Sequence, residues 1–317
     1  MAISYPPVPP NISGDVETIN RFLKDPTFIM RYLRTVAQQR FIGDVLLSNR
    51  FTTTSGSVLY EQMEDIYAGS APEPIAPGAQ YEETPIPTGP AAIASTVKWG
   101  QKFTVTDEAI SRLNFNPIQK GLLKMANRMV WSFDTVCLSA IVSAVTQMQA
   151  ASVAWNAGVP GTAGGPNIFR DVQTAVATIR AHNQGYEADT VVVDDQAFAD
   201  IISDPQISLM LSRESDNNPI HEGTSAFPVI GGIRFLPTPN LPTANTALVL
   251  DSSMLGGIVT EEIVGPGWTS VPDYNLPVQA KTIRHDERDA WSIQTRRVAA
   301  PLVQEPLSAV MITGIGA

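Results

Sequence analysis

The chain has 317 residues and a net charge of −10, and it is 44% hydrophobic but only 16% charged, against a usual charged share of roughly 25%. That length holds two modest domains or one large domain with excursions, and the shortage of charge points to a surface partly hidden in a partner. The acidic balance excludes a nucleic-acid binder of the basic-patch kind, so any DNA contact is local or weak; the lone Cys137 excludes an intrachain disulfide or cysteine-zinc cluster, and no apolar run reaches the roughly 18–20 residues of a membrane span.

Residues 1–14, "MAISYPPVPPNISG", read as an extended Pro-rich lead-in. They lack the basic start and apolar core of a signal peptide, so a cytoplasmic setting is expected. From Asp15 to about Leu47 the apolar spacing is helical, with Pro26 splitting the run. This stretch is mildly basic, through Arg21, Lys24, Arg31, Arg34 and Arg40. The next stretch, Phe51 to Val97, contains no Lys or Arg but carries Glu61, Glu64, Asp65, Glu73, Glu82 and Glu83. Two readings stand: attraction between the two stretches across a subunit boundary, or a solvated acidic loop and a solvated helix face.

Within the acidic stretch, Tyr67 to Ser95 is rich in Pro and Gly and lies between two strand-like runs, "SGSVLYEQM" and "AAIASTVKW". Irregular loops longer than about 12–15 residues are uncommon inside compact domains. A long arm of paired strands is therefore expected. The alternation continues through Trp99, with a bulge expected at Gly100, and "KFTVT" extends the strand. Thr106 or Asp107 then caps a short helix through Leu113.

Asn116 as cap and Pro117 in the first turn open the longest helix signal. Leu122, Ala126, Met129, Phe133, Val136, Ala140 and Ala144 recur at three and four, and the helix is expected to run to about Met148, on the order of 45–50 Å. Cys137 falls on its apolar face, which favours a buried thiol. After the break "AGVPGTAGGP", Asn167 to His182 reads as a helix, "TVVVDD" as a buried strand and "DQAFADIIS" as another helix. "GGIRFLPTPNLP", "ALVLD" and "GIVTEEI" read as short strands, giving a mixed α/β region from about Pro166 to Pro277. "PVQAKTIRHDERDAWSIQTRRVAA" reads as a hairpin turning near Glu287, and "AVMITGIG" as a last strand. No repeat of 20–50 residues is visible.

No active site emerges. Ser95-Thr96-Val97-Lys98 matches S-x-x-K and Ser215-Asp216-Asn217 matches S-D-N, as in serine acyl-transferases of the penicillin-binding kind. That chemistry needs Ser and Lys one helical turn apart, whereas here they lie in a strand pattern, and K-T-G is missing because Ile283 follows Thr282. His182, His221 and His285 are each alone, and "GTAGGPN" lacks the Lys-Ser/Thr pair of a phosphate loop. Asp194 and Asp195 read as a helix cap rather than a cation site, and "HDERD" as a charged turn. No catalytic residue, cofactor or metal is expected.

The order of these parts resembles the major capsid proteins of tailed double-stranded DNA bacteriophages, which share the fold named after phage Hong Kong ninety-seven. The residues that carry the resemblance are "VKWGQKFTVTDEAI" leading into a long helix, "VIGGIRFLPTPNLP" within the α/β region, and a hairpin ending "RRVAAPLVQEPLSAVMITG". The resemblance implies an α+β fold with residues 1–50 as N-arm, 51–97 as a β-hairpin E-loop, and 98–165 as a P-domain with the spine helix. Residues 166–277 are then the A-domain and 278–317 the return to the P-domain with a C-terminal strand.

It implies a structural protein and not an enzyme, self-assembling as hexamers and pentamers into the icosahedral shell of a virion around double-stranded DNA, after assembly in the host bacterial cytoplasm. The candidate intersubunit contacts are Glu61, Glu64, Asp65, Glu82, Glu83, Arg21, Arg31 and Arg34. The three arginines are also candidates for contact with the genome. Implied partners are copies of the chain, a portal, a decoration protein and, because the arm begins almost at Met1, a separate scaffolding protein. The type member cross-links its shell through an E-loop lysine; with no lysine between Phe51 and Val97, a non-covalent shell is expected here. The alternatives are an encapsulin-type nanocompartment of the same fold and the serine acyl-transferase.

Overall fold

The structure, a computed structural model, describes residues 23, 42–62, 65–81, 83–86, 88–113, 116–158, 164–205, 207, 229–270 and 278–316. Its elements in chain order begin with α1 (Gly43–Leu46), β1 (Asn49–Thr53), β2 (Ser57–Glu61), β3 (Ala91–Ser95) and β4 (Val97–Thr106). They continue with α2 (Asp107–Leu113), α3 (Asn116–Ala144), β5 (Met148–Ala150), α4 (Ile168–Ala181), β6 (Thr190–Val193) and α5 (Asp195–Ser203). The strands β7 (Val229–Ile230), β8 (Ile233–Pro237), β9 (Thr246–Leu250), β10 (Gly256–Glu261) and β11 (Thr269–Ser270) follow. β12 (Val278–His285), β13 (Ala290–Val303) and β14 (Ala309–Thr313) complete the chain.

Among the described residues the strands form three sheets. One is built on β13, the longest strand, with the order β1-β10-β13-β12-β11 and β4 also paired to β13. A second has the order β5-β14-β9-β6-β8-β7, and the third is the hairpin β2-β3 alone. The second sheet is apolar on both faces, which is why "TVVV" shows no polar alternation. Val191, Val193, Val249, Val310 and Ile312 face one core with Val172, Val176 and Ile179 of α4. Val192, Leu248, Leu250 and Met311 face the other, which they share with Leu122, Phe133, Leu138 and Ile141 of α3 and with Ile293 of β13. The 29-residue α3 thus acts as a spine of about 43 Å at 1.5 Å per residue, joining both large sheets.

Local chemistry sets the ends. Asn167 caps α4 by accepting from the Arg170 N–H at 3.0 Å, and Asp194 caps α5 by accepting from the Asp195 N–H at 2.7 Å. Thr106 Oγ1 accepts from the Ala109 N–H at the start of α2. Cys137 is fully buried, and burial pushes its thiol far up.

Three expectations need correction. Gly100 makes no bulge: β4 pairs with β13 without interruption from Val97↔Ala299 to Thr106↔Ala290, and a Cβ at Gly100 would sit 3.2 Å from the Thr295 carbonyl oxygen, so the glycine serves close approach. The spine ends at Ala144 rather than near Met148, because Met148–Ala150 leaves the helix to pair in parallel with β14. "GIVTEEI" lies in the sheet of β13 rather than with the α/β strands, paired antiparallel to β13 and parallel to β1. Of the helix expected over residues 15–47, the segment 43–46 is helical, while residues 15–22 and 24–41, like the lead-in 1–14, lie outside the described residues.

Candidate intersubunit interface

β2 and β3 pair antiparallel, with Leu59 opposite Ile93, and among the described residues the hairpin has no third strand. Both members of that pair face solvent, Leu59 at 69% and Ile93 at 70% exposure. Farther out, Tyr81 and Ile86 are 81% and 84% exposed. A cross-strand apolar pair contributes to a sheet only when something excludes water from it. This face therefore lacks the layer that would make it a core.

The root of the hairpin is tied to the body. The Thr96 N–H donates to the Gly56 carbonyl at 2.9 Å, and the Thr96 hydroxyl donates to Glu261 at 2.6 Å. The Gln62 amide donates to the Val303 carbonyl at 2.9 Å. Just beyond, the arm leans on the C-terminal turn of α4 of its own subunit. The Ile66 N–H donates to the Gln184 side chain at 3.0 Å, the Gln184 amide donates to Asp65 at 2.9 Å, and the Tyr67 hydroxyl donates to the Asn183 carbonyl at 2.7 Å. These donors from Gln184 and the Tyr67 N–H hold the Asp65 carboxyl below its ordinary range. The distal part is braced across itself by the Gly69 N–H to the Pro85 carbonyl and by Ser70 with Thr84, and it turns at Ala76–Ala79.

Of the residues expected at subunit contacts, Glu61 and Glu83 are exposed on the arm and Asp65 sits at its elbow with Gln184. Glu64, Glu82, Arg21, Arg31 and Arg34 lie outside the described residues, so the charge pairing between arm and N-terminal stretch is not placed.

A polar network that the sequence did not reveal anchors the N-terminal stretch to the spine. Arg297 of β13 is 1% exposed; its guanidinium stacks 3.7 Å over the Phe133 ring and donates to Asp44 of α1 at 2.9 Å. Arg50 lies 3.4 Å from the same carboxylate. Asp134 of α3 accepts from the Gly43 N–H at 2.9 Å and the Ile42 N–H at 3.2 Å, and burial pushes its carboxyl up to about 6. The adjacent Arg296 points to the opposite face of the sheet, where it stacks 4.0 Å from the Trp268 ring and donates to Gln279 at 2.6 Å. Nothing in "TRRVAA" marks either arginine as buried, though both are; only the strand period separates their faces.

The motifs with an enzymatic look fall apart. Ser95 pairs with Ser57 in the hairpin while Lys98 pairs with Val298 in the β13 sheet, so S-x-x-K spans two sheets. Ser215, Asp216, Asn217 and His221 lie outside the described residues. His182 is the C-cap of α4 and meets Gln147 at 2.5 Å, and His285 meets Ser292 at 2.9 Å. In the "HDERD" turn, Asp286 and Asp289 join Asp107 around Arg284. Among the described residues no group of three or more His, Cys, Asp or Glu could hold a metal, and no helix is long and apolar enough to cross a membrane.

Comparison with curated protein sequences returns no match. Solved structures give a different result. The chain superposes on the capsid structure of the cyanophage P-SCSP1u with a TM-score of 0.62 at 14% identity, over 87% of this chain and 89% of that one. A phage-related protein from Bordetella bronchiseptica gives 0.55 at 11% identity over 92% and 97% of the two chains. The virus-like particle of Pyrococcus furiosus gives 0.54 at 11% identity over 90% and 97%. At such identities the likeness is one of fold. Residues 90–312 match the family described as phage capsid protein, which is most of the chain. From that match and that shared α+β architecture, the chain belongs to the phage capsid protein family and is a structural major capsid protein of the Hong Kong ninety-seven fold.

Proposed function

We propose that the body of this capsid protein is a tile and that its hairpin arm is the clasp between tiles. In this reading the subunits form hexamers and pentamers in an icosahedral shell around double-stranded DNA. Residues 1–50 act as N-arm, 51–97 as E-loop, 166–277 as A-domain apart from β10, which joins the β13 sheet, and 98–165 with 278–317 as P-domain apart from β5 and β14, which join the A-domain sheet. The observation that carries the reading is the hairpin with its apolar face turned to solvent, Leu59 opposite Ile93, and its distal Tyr81 and Ile86 equally uncovered. Two strands alone are marginal in water. Burying each of these side chains against a neighbour contributes about 1.5–3 kcal/mol, enough for several arms together to hold a lattice whose single contacts are modest. About ten residues separate the elbow at Tyr67 from the turn at Gly78, a reach of roughly 30 Å, comparable to the width of a small domain.

The same reading assigns the chain no enzymatic activity, assembly in the host bacterial cytoplasm on a separate scaffolding protein, and partners in a portal and a decoration protein. Replacing residues 68–88 by a short Gly-Ser turn tests it. The shortened subunit is expected to keep its circular dichroism and melting transition yet give no closed particles by negative-stain microscopy, while the full chain with its scaffold does. Closed particles from the shortened chain, or a full chain that stays monomeric with scaffold present, would overturn the clasp. Particles that enclose a protein cargo and exclude DNA would support the nanocompartment alternative.

A further inference from the structure

The exposed side of the spine carries one line of cations. Lys120, Lys124 and Arg128 of α3, four residues apart, all face solvent, while Leu122, Ala126, Met129, Val130 and Phe133 on the other side are buried. At 1.5 Å per residue the three charges stand about 6 Å apart along about 12 Å of a rigid helix. The line ends at Trp131, which is 45% exposed and lies under the Arg128 guanidinium at 4.1 Å, so the last cation is held in place by the indole. α3 has one carboxylate, Asp134, and that one is buried against the Ile42 and Gly43 N–H groups. No ion pair engages Lys120, Lys124 or Arg128 among the described residues. By contrast, Arg284 has three aspartates around it and Arg297 has Asp44. Lys98 and Lys102 lie on β4, whose Trp99 and Phe103 pack against the core shared with α3, so by strand alternation they point to the opposite face of the sheet.

We propose that this stripe is the surface by which the subunit meets a polyanion, namely the phosphate backbone of double-stranded DNA, and hence that the open face of α3 lines the inside of the shell. The choice rests on the shell reading above for the source of the polyanion and on charge for the rest. A duplex presents one phosphate per roughly 3.4 Å of axis on each strand, so the stripe spans three to four phosphates. It has the form of a sequence-independent contact, a row of long cations on one exposed helix face. In a subunit of net charge −10, three such cations per copy give weak, salt-sensitive adhesion, which confines packed DNA without fixing it.

The test has two parts. In particles acylated with a small amine-reactive ester and read by peptide mass spectrometry, Lys120 and Lys124 are expected to be labelled several-fold less in DNA-filled than in DNA-emptied particles, with Lys98 and Lys102 unchanged. Equal labelling in both would overturn the proposal. So would protection in both together with labelling in dispersed subunits, which would mean that a neighbouring subunit's acidic arm covers the stripe. The second part needs no particle. Dispersed wild-type chain is titrated against a fluorescent DNA duplex at increasing salt, beside the variant K120Q/K124Q/R128Q, whose fold is checked by its melting curve. Removing three cations is expected to lower the slope of log K against log salt by about 2–3. An unchanged slope, or no wild-type binding at low salt, would overturn the stripe. A failure to form particles at all would count against the shell while leaving this titration decisive.

Discussion

Cutting the link between Asp44 and Arg297 is expected to destabilise the subunit unequally from its two sides. In Asp44→Asn, a guanidinium that is 1% exposed loses a carboxylate 2.9 Å away. Removing one partner from a buried pair of this kind costs about 3–5 kcal/mol. In Arg297→Met, by contrast, the carboxylate left behind has a side chain 10% exposed and keeps Arg50 at 3.4 Å, while methionine retains an apolar stem over the Phe133 ring. A smaller loss of about 2 kcal/mol is expected there, since a partner remains and water is nearer. At a urea m-value of about 3 kcal/mol/M, the two variants shift the midpoint by roughly 1–1.7 M and 0.7 M. The double variant should cost less than the sum, by more than about 1 kcal/mol, because both changes remove the same Asp44–Arg297 contact. Urea melts of the dispersed subunit followed by tryptophan fluorescence give all three values. Equal costs for the two single variants, or a double variant additive to within about 0.5 kcal/mol, would refute the reasoning.

Three further outcomes are expected. Gly257→Ala places a Cβ 2.5 Å from the Asn49 carbonyl oxygen and 2.7 Å from the Phe51 ring; it should cost about 1–3 kcal/mol and speed hydrogen exchange at Asn49–Thr53 before the rest of the sheet. For Asp134, the folded carboxyl titrates at about 6 against an ordinary 3.8, so its stabilising contribution is complete below 3.8 and is lost as pH rises to 6. Wild type should therefore gain up to about 3 kcal/mol relative to Asp134→Asn between pH 6 and 4, at about 1.4 kcal/mol per pH unit, and a difference that stays flat in acid melts would contradict the burial argument. Finally, mature particles boiled in detergent should run as single subunits, since Lys98 and Lys102 are fixed in β4 and no lysine lies on the arm; a ladder of linked subunits on the gel would disprove a non-covalent shell.

The parts of the fold legible in the sequence are those decided locally. Asn167 and Asp194 stand where a cap is needed, "TVVV" is apolar without alternation because both of its faces are covered, and the turn at 286–288 is polar between two strands. What escaped was decided by distant pairing. "GIVTEEI" has the same strand signal whichever sheet it joins, and its place beside β13 depends on glycines that admit the backbones of β1 and β13. The apolar period of α3 runs on through the buried Val145, so nothing local marks the point where Met148–Ala150 is taken over by β14. At the interface, the arm was visible as a Pro- and Gly-rich excursion, but its elbow on Gln184 and Asn183 was not, because it uses side chains of ordinary loop composition. The cation stripe was legible in principle at Lys120, Lys124 and Arg128, four residues apart opposite the apolar face, yet it was masked by the overall negative charge.

The position of β14 has a consequence for biosynthesis. It lies inside the second sheet, between β5 and β9, and it reaches the ribosome exit after every strand with which it pairs. Until then β9 and β5 have an unfilled gap between them, and the apolar faces on both sides of that sheet have no complete layer to rest on. Pairing across so many intervening residues is slow relative to local folding. On the clasp reading, a nascent chain whose arm has already emerged has no finished tile to fasten, and lattice growth waits on released, completed subunits.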